Sequence, residues 1–503
     1  VNILVDNWIP VLHDKSSRQI SLRDLLCQEA DWDLALPRDD MELAGLQLLI
    51  SLTQVLFMPV DQRVLQARIK TPLREAEFEQ GIANYQEWFD LDHSAMPFMQ
   101  TRGVQAAEVT PIQKLFIGLP EGNNHAFFNA EGEINAVCGG CTVIALFNQA
   151  NNCPSFGGGF KGSLRGSAPI TTLIDVPNLR QRIWENVLPR SELPMLLPWY
   201  QEITHDQPVW VRPIQAGQKL YSYQIGLLRG LFWQPARVEL RSGGGGVCDH
   251  CGAEVKQCYM GLNKEKFRYE LSGVWPHPHS PRLFKLVKGK KEERYASFTT
   301  TAPAWTQLTQ FLLEKADNKG GHVPAPVVSS RRQRIFSKNS RLQLLVGGYR
   351  NNQANIIDRR HELFSFSPGW EEGQEHLEKL IEVGLEIKRL LHDSLEYAVE
   401  DERKRENKFK VLGVKIHKQA EVRFYALSEP WVHDSLRELD FTAFQRHKSA
   451  FIARLTALAS QLYEEAISPY QHDPELIHAI AAGRSRLNKG LSQLKENQHV
   501  NAH

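Results

Sequence analysis

Four of the seven cysteines form two C-x-x-C pairs, Cys138-Gly139-Gly140-Cys141 and Cys248-Asp249-His250-Cys251. Four thiolates are the donor set of a closed tetrahedral zinc site, structural because no coordination position is left for a reactant. Cys141 and Cys248 stand 107 residues apart, far beyond a zinc-ribbon spacing, so a shared Zn2+ would staple two distant loops. Two unrelated pairs, or a redox pair, are the competing readings. His250 and Cys258 are near enough in sequence to be alternative ligands. Seven cysteines are too few for a disulfide framework in a chain of 503 residues.

A second segment, Pro154 to Gly166, reads PSFGGGFKGSLRG. Gly157, Gly158 and Gly159 remove side chains, so that backbone can approach a partner closely, and Lys161 and Arg165 would add charge. The segment lacks the G-K-[ST] ending of a nucleoside-triphosphate loop, and a plain flexible turn has the same composition. A third segment, Gly347 to Gln353, reads GGYRNNQ. Its amides offer donors and acceptors that suit base edges, although a turn would also use them. Three basic clusters (Arg331–Arg341, Arg282–Arg294 and Arg403–Lys410) offer phosphate contacts, while most such runs coat a solvated face. His277 and His279 stand two apart in a Pro-rich loop; they could hold a metal in a nucleic-acid enzyme, or pack as a rigid loop. H-E-x-x-H, G-x-S-x-G and a strand-to-helix G-x-G-x-x-G are all missing, so no enzyme is expected.

The elements that must carry these motifs differ along the chain. Before Pro368, short β-like runs (Ile3–Val5, Val209–Val211, Val238–Leu240, Phe267–Leu271) alternate with apolar helices and turn signals. Leu43–Val60 is apolar apart from Gln47, Ser51, Thr53 and Gln54, which marks a buried helix capped by Asp39 or Asp40 and ended by Pro59. After Ser367-Pro368-Gly369 helical periodicity takes over. Leu380, Val383, Ile387, Leu391 and Leu395 make one stripe, Phe451, Leu455, Leu458 and Leu462 another, and Leu476, Ile480, Leu487 and Leu491 a third. A shorter helix around Ala420–Leu427 supplies a fourth. The expected fold class is α+β, with residues 1–368 a mixed α/β domain and 372–500 a four-helix bundle.

The charge balance, 59 Lys plus Arg against 58 Asp plus Glu, argues against a protein that coats nucleic acid with one basic surface. Any such contact must be local. The opening segment carries Asp6 where a secretory signal needs an apolar core, so the expected compartment is the cytoplasm, with no membrane partner.

Taken together, the chain resembles the CasA family, the large subunits of the type I-E CRISPR surveillance complex called Cascade. The resemblance rests on the opening DNWIP, Leu36–Leu43, Pro97–Thr101, the Cys138–Cys141 knuckle with Ala145–Ala150, Gly230–Ala236, Trp275–Pro281 and Gly347–Gln353. It implies a non-catalytic subunit that checks double-stranded target DNA for a protospacer-adjacent motif and helps open the duplex for the guide RNA. It then helps recruit a helicase-nuclease effector. The implied motif contacts are Phe156, Gly157, Gly158, Gly159 and Lys266, all from the minor groove. The implied wedge is Gln353 with Asn352 beside it. A loop from about Phe127 to Cys138 would meet the guide RNA and the other Cascade subunits (CasB, CasC, CasD and CasE), with Phe127 and Asn129 as its matching residues. Zinc on Cys138, Cys141, Cys248 and Cys251 would tether that loop.

Overall fold

The structure, a computed structural model, describes residues 1–117, 119, 132–288, 290–333, 341–352, 355–370, 372–406, 415–474 and 476–500. The chain divides into two compact units. One comprises Val1–Thr299 with Gln310–Arg334 and Leu344–Leu363; the other is chiefly Phe364–His503 with Thr300–Thr309.

The core of the first unit is built on two helices, α1 (Asp39–Leu56) and α2 (Gly139–Asn151), each buried on nearly every face. A helix without a polar face must be surrounded, and its polar residues must find partners inside. In α1, Ser51 and Thr53 donate to the carbonyls of Gln47 and Leu49, and Gln54 exchanges two bonds with the Leu188 backbone. The cap of α1 is Arg38, without a side-chain cap bond. Asp39 and Asp40 instead occupy the first turn, where the helix dipole favours carboxylates. Helix α2 starts at Cys138, whose Sγ accepts from the Cys141 amide. Gly139 and Gly140 are dictated by packing: a Cβ on Gly140 would lie 2.3 Å from the Trp8 carbonyl oxygen, and one on Gly139 would lie 2.6 Å from the Val1 side chain.

Around these helices run several small sheets. Strands β1 (Thr110–Pro111), β2 (Val137–Cys138) and β4 (Arg237–Ser242) all pair antiparallel with β5 (Cys258–Glu265). In that register Cys258 faces Cys138. Strand β3 (Thr171–Asp175) follows the glycine segment and joins the hairpin of β8 (Leu342–Asn352) and β9 (Asn355–Phe366) in the order β9-β8-β3. A basic hairpin, β6 (Arg282–Val287) with β7 (Lys290–Tyr295), belongs to a separate four-stranded sheet. Val238–Leu240 lies in β4, whereas Ile3–Val5 and Val209–Val211 are turns, and of Phe267–Leu271 only the last two residues enter a strand, Glu270–Ser272. β-branched residues alone do not make a strand where no neighbour supplies a ladder.

The second unit packs four helices: α3 (Gln374–Glu406), α4 (Ile416–Glu438), α5 (Phe444–Ile467) and α6 (Ile477–Val500). Leu391, Leu395, Phe424, Leu455, Leu462 and Leu487 are among the residues that fill its interior. Gly483 lets α6 approach closely: a Cβ there would lie 2.5 Å from Tyr463 Oη and 2.7 Å from the Ser394 carbonyl oxygen. Helix α4 runs far past the expected Ala420–Leu427 and carries Pro430 inside it. Proline deprives the carbonyl four residues back of its donor, which makes the sequence look like a helix end. Packing of Phe424, Val432 and Leu436 on both sides of Pro430 keeps the helix going. No helix among the described residues is long and apolar enough to cross a membrane.

Candidate nucleic-acid interface and metal centre

The sulfurs of Cys138, Cys141, Cys248 and Cys251 lie within 4.8 Å of one another. Cys138 Sγ and Cys251 Sγ are 3.7 Å apart, and no cysteine is in a disulfide. In a tetrahedron of metal–sulfur bonds near 2.3 Å the sulfurs are about 3.8 Å apart, so this spacing fits a metal and is much too long for a disulfide. The local folds explain the convergence. The second knuckle turns back on itself, with Gly252 N donating to Cys248 O and Gly252 at φ +73°. Asp249 then ties the two knuckles together, its Oδ2 accepting from the Asn135 and Ala136 amides at 2.7 and 2.9 Å. Hydrogen bonds from Cys138 and Cys141 pull the Cys248 thiol far below its usual range, while the same cluster, Cys138 first, pushes Cys141 up. Four thiols this close cannot all ionise without a cation among them.

The alternative ligands separate. His250 Nδ1 is 3.3 Å from Cys141 Sγ, and its ring packs on Phe116. Cys258 is buried in β5 and is not one of the four. His277 and His279 are buried, with rings 5.0 Å apart, and His277 Nδ1 accepts from the His279 amide. They join no group of three metal-capable side chains among the described residues. Burial first, and then the nearby Arg165 charge, holds both imidazoles low, His279 at about 3.

The glycine segment leaves the C-terminal end of α2. Gly157, Gly158 and Gly159 have φ of +82°, +51° and +88°, a left-handed run that only glycine adopts without strain. Nothing lies within 4 Å of where a Gly158 Cβ would be. Lys266 follows directly after β5, and its Nζ donates to Gly158 O at 3.1 Å. Lys264 Nζ sits 5.8 Å over the Phe156 ring and donates to Thr110 Oγ1, and Phe156 meets Phe160 edge-on at 5.5 Å. Lys161 Nζ lies 5.7 Å over the Tyr269 ring. The structure therefore brings Phe156, Gly157–Gly159 and Lys266 together, with Gly158, Gly159 and Lys266 exposed and Phe156 and Gly157 half-buried. Lys264 belongs to the same group, and its signal was available, since it alternates with Lys266 at the end of a strand.

Arg165 departs from expectation. It is 2 % exposed, and its guanidinium bonds to Asn151 O, Asn152 Oδ1, Thr171 Oγ1 and Ser280 Oγ. It sits in a tight turn in which Gly166, at φ +81°, donates its N–H to Ser163 O at 3.1 Å. Burial lowers its pKa to about 10. Asn352 closes β8, and Asn351 Nδ2 reaches Ser167 Oγ at 2.9 Å. Gln353, Phe127 and Asn129 lie outside the described residues. Of the basic residues, Arg331 pairs with Glu185, and Arg282 and Lys291 share Glu293. Those positions are neutralised locally.

The family described as CRISPR-associated protein Cse1 matches residues 2–465 of the chain. The fold is similar to the crystal structure of CRISPR-associated protein Cse1 from Acidimicrobium ferrooxidans: TM-score 0.73, 16% identity, 99% of this chain and 98% of that chain covered. It is also similar to Thermobifida fusca Cse1, with TM-score 0.72, 16% identity and 98% of each chain covered. A chain of a CRISPR RNA-guided surveillance complex gives TM-score 0.65 at 18% identity over 97% of this chain and 99% of that one. At such identities these likenesses concern the fold alone.

Proposed function

The chain belongs to the CRISPR-associated protein Cse1 family, and on that premise we propose that it is the non-catalytic, motif-reading subunit of an RNA-guided surveillance complex. It recognises the protospacer-adjacent motif in double-stranded DNA from the minor groove. The observation that carries the reading is the bond from Lys266 Nζ to Gly158 O at 3.1 Å, beside three left-handed glycines. Such a loop offers backbone groups with no side chain in front of them and one cation at their edge. The minor groove is about 6 Å wide and presents nearly the same pattern for A·T and T·A. A backbone-lined loop enters it without steric cost, and a single lysine reaches its acceptors, so related motifs are tolerated. Base pairing with the guide RNA then reads the rest of the target.

Gln353, with Asn352 beside it, is the wedge in this reading. Unstacking one base-pair step costs ~1–2 kcal/mol. A glutamine that stacks in the gap and bonds to a base edge offsets about that much. Phe127 and Asn129 meet the guide RNA and the neighbouring subunits, CasB, CasC, CasD and CasE, and the complex recruits a helicase-nuclease once the duplex is open. Zinc is the metal that four thiolates at tetrahedral spacing favour. Held by Cys138, Cys141, Cys248 and Cys251, it supplies no chemistry beyond a cross-link at the root of that loop.

R-loop formation by the assembled complex on linear duplexes tests the reading. Lys266→Ala is expected to weaken binding to motif-bearing duplexes at physiological salt. Gln353→Ala is expected to spare that binding and to slow strand opening. Wild-type behaviour of both variants would overturn it.

A further inference from the structure

Five buried side chains of the first unit form a continuous line of hydrogen bonds. Arg165 Nη2 donates to Asn152 Oδ1, and Asn152 Nδ2 donates to Asn148 Oδ1 at 2.9 Å. Asn148 Nδ2 donates to Tyr349 Oη at 2.8 Å, and Tyr349 Oη donates to Asp40 Oδ2 at 2.8 Å. Every donor points the same way, from a guanidinium at one end to a carboxylate at the other. All five residues are at most 6 % exposed. Arg38 closes the far end on both Asp40 oxygens, at 3.0 and 2.8 Å.

The line joins elements that a sequence reading treats separately. Arg165 lies in the glycine segment. Asn148 and Asn152 are four apart, on one face of the end of α2. Tyr349 lies in β8, three residues before Asn352. Asp40 lies in the first turn of α1. A buried arginine bonded, among the described residues, to neutral oxygens, Asn151 O, Asn152 Oδ1, Thr171 Oγ1 and Ser280 Oγ, is costly to keep. Aligned amide dipoles ending on a carboxylate offset part of that cost, and each bond polarises the next. Moving the glycine segment relative to β8 would therefore break buried hydrogen bonds, at the cost of leaving their donors and acceptors unpaired.

We propose that Arg165, Asn152, Asn148, Tyr349 and Asp40 are positioning residues that hold the glycine loop and the β8–β9 hairpin in one fixed register. Engagement of the loop in the minor groove then fixes where the tip of the hairpin meets the duplex. This rests on the motif-reading function proposed above. It assigns the hairpin's alignment to residues that touch no DNA.

The test uses the assembled complex and follows opening of a fully paired motif-bearing duplex and of one already unpaired beside the motif. Tyr349→Phe removes only the hydroxyl that passes the line from α2 to α1. It is expected to slow opening of the paired duplex about tenfold, the effect of one buried hydrogen bond. Binding to the motif and use of the pre-opened duplex should stay unchanged, a split that general destabilisation would not give. Arg165→Lys is expected to lower motif discrimination as well. The double variant should be no slower than the worse single one, because both cut the same line. Asn148→Ala, which leaves the Tyr349–Asp40 bond in place, should repeat the split and serves if Tyr349→Phe does not fold. Wild-type opening in Tyr349→Phe or Asn148→Ala, or effects that multiply in the double variant, would overturn the proposal. Gln353→Ala separates the two levels. If it opens duplexes at the wild-type rate, the wedge reading fails. If it is slow while Tyr349→Phe is not, only the line of positioning residues fails.

Discussion

At the N-terminal end of α2, four cysteine sulfurs crowd within 4.8 Å and only Cys251 is more than marginally exposed. At the C-terminal end the chain runs into three glycines at positive φ, and around Gly158 there is open space. The same two regions are joined a second time by β5, which begins beside Cys138 and ends one residue before Lys266. One region is closed by its side chains, and the other is open because it has none. The difference shows a division of labour along about 20 Å of helix. Side-chain chemistry fixes the root, so that bare backbone at the tip can be presented without collapsing.

The comparison breaks most severely at the closed end. Cys248→Ser should release the metal and lower stability by about 4–5 kcal/mol or more, read by metal analysis together with denaturant unfolding. Retention of full metal content would mean that the four sulfurs do not act as one site. At the open end, Gly158→Ala should cost the fold only ~1–2 kcal/mol, because the left-handed backbone is strained but the space is free. Affinity for motif-bearing duplexes should fall by more than tenfold, since in the proposed function the new methyl group stands between the loop backbone and the minor groove. Equal losses in stability and affinity would erase the contrast between the two ends. Lys266→Ala sharpens it further. Affinity for motif-bearing duplexes should fall by more than affinity for duplexes without the motif, read by gel shift at fixed salt. The smallest effect is expected from Asp249→Ala. Two exposed backbone amides lose their acceptor, so stability should fall by about 1 kcal/mol in denaturant unfolding while the metal content is unchanged.

Much of this was legible in the chain. Cysteine spacing named all four members of the cluster, because C-x-x-C geometry is local and the donor set is fixed by chemistry. Periodicity found the bundle stripes, since i, i+3 and i+4 neighbours share a face whatever the tertiary context. The glycine run pointed to close backbone approach. Other features could not be read. Arg165 counted as loop charge, yet its side chain is buried, and whether an arginine faces water depends on how the chain turns after it. Helix α4 extends past Ala420–Leu427 through Pro430, because proline's penalty is local and the packing that outweighs it is tertiary. Asn148 and Asn152 lie at the C-terminal end of an apolar helix, and nothing in their spacing names a partner. A buried amide is informative only when its partner is known, and Tyr349 is about two hundred residues away.

The sequence by itself determined the two C-x-x-C pairs, the glycine run, the helical character of the last 130 or so residues and a neutral charge balance under which any nucleic-acid contact must be local. These follow from residue type and short-range spacing. Only the tertiary structure decided that Lys266 meets Gly158, that two knuckles 107 residues apart share one cluster, and that the glycine segment is tied to β8 through α2. Those are contacts between distant segments, and their free energy comes from burial and hydrogen-bond geometry that exist only once the chain has folded.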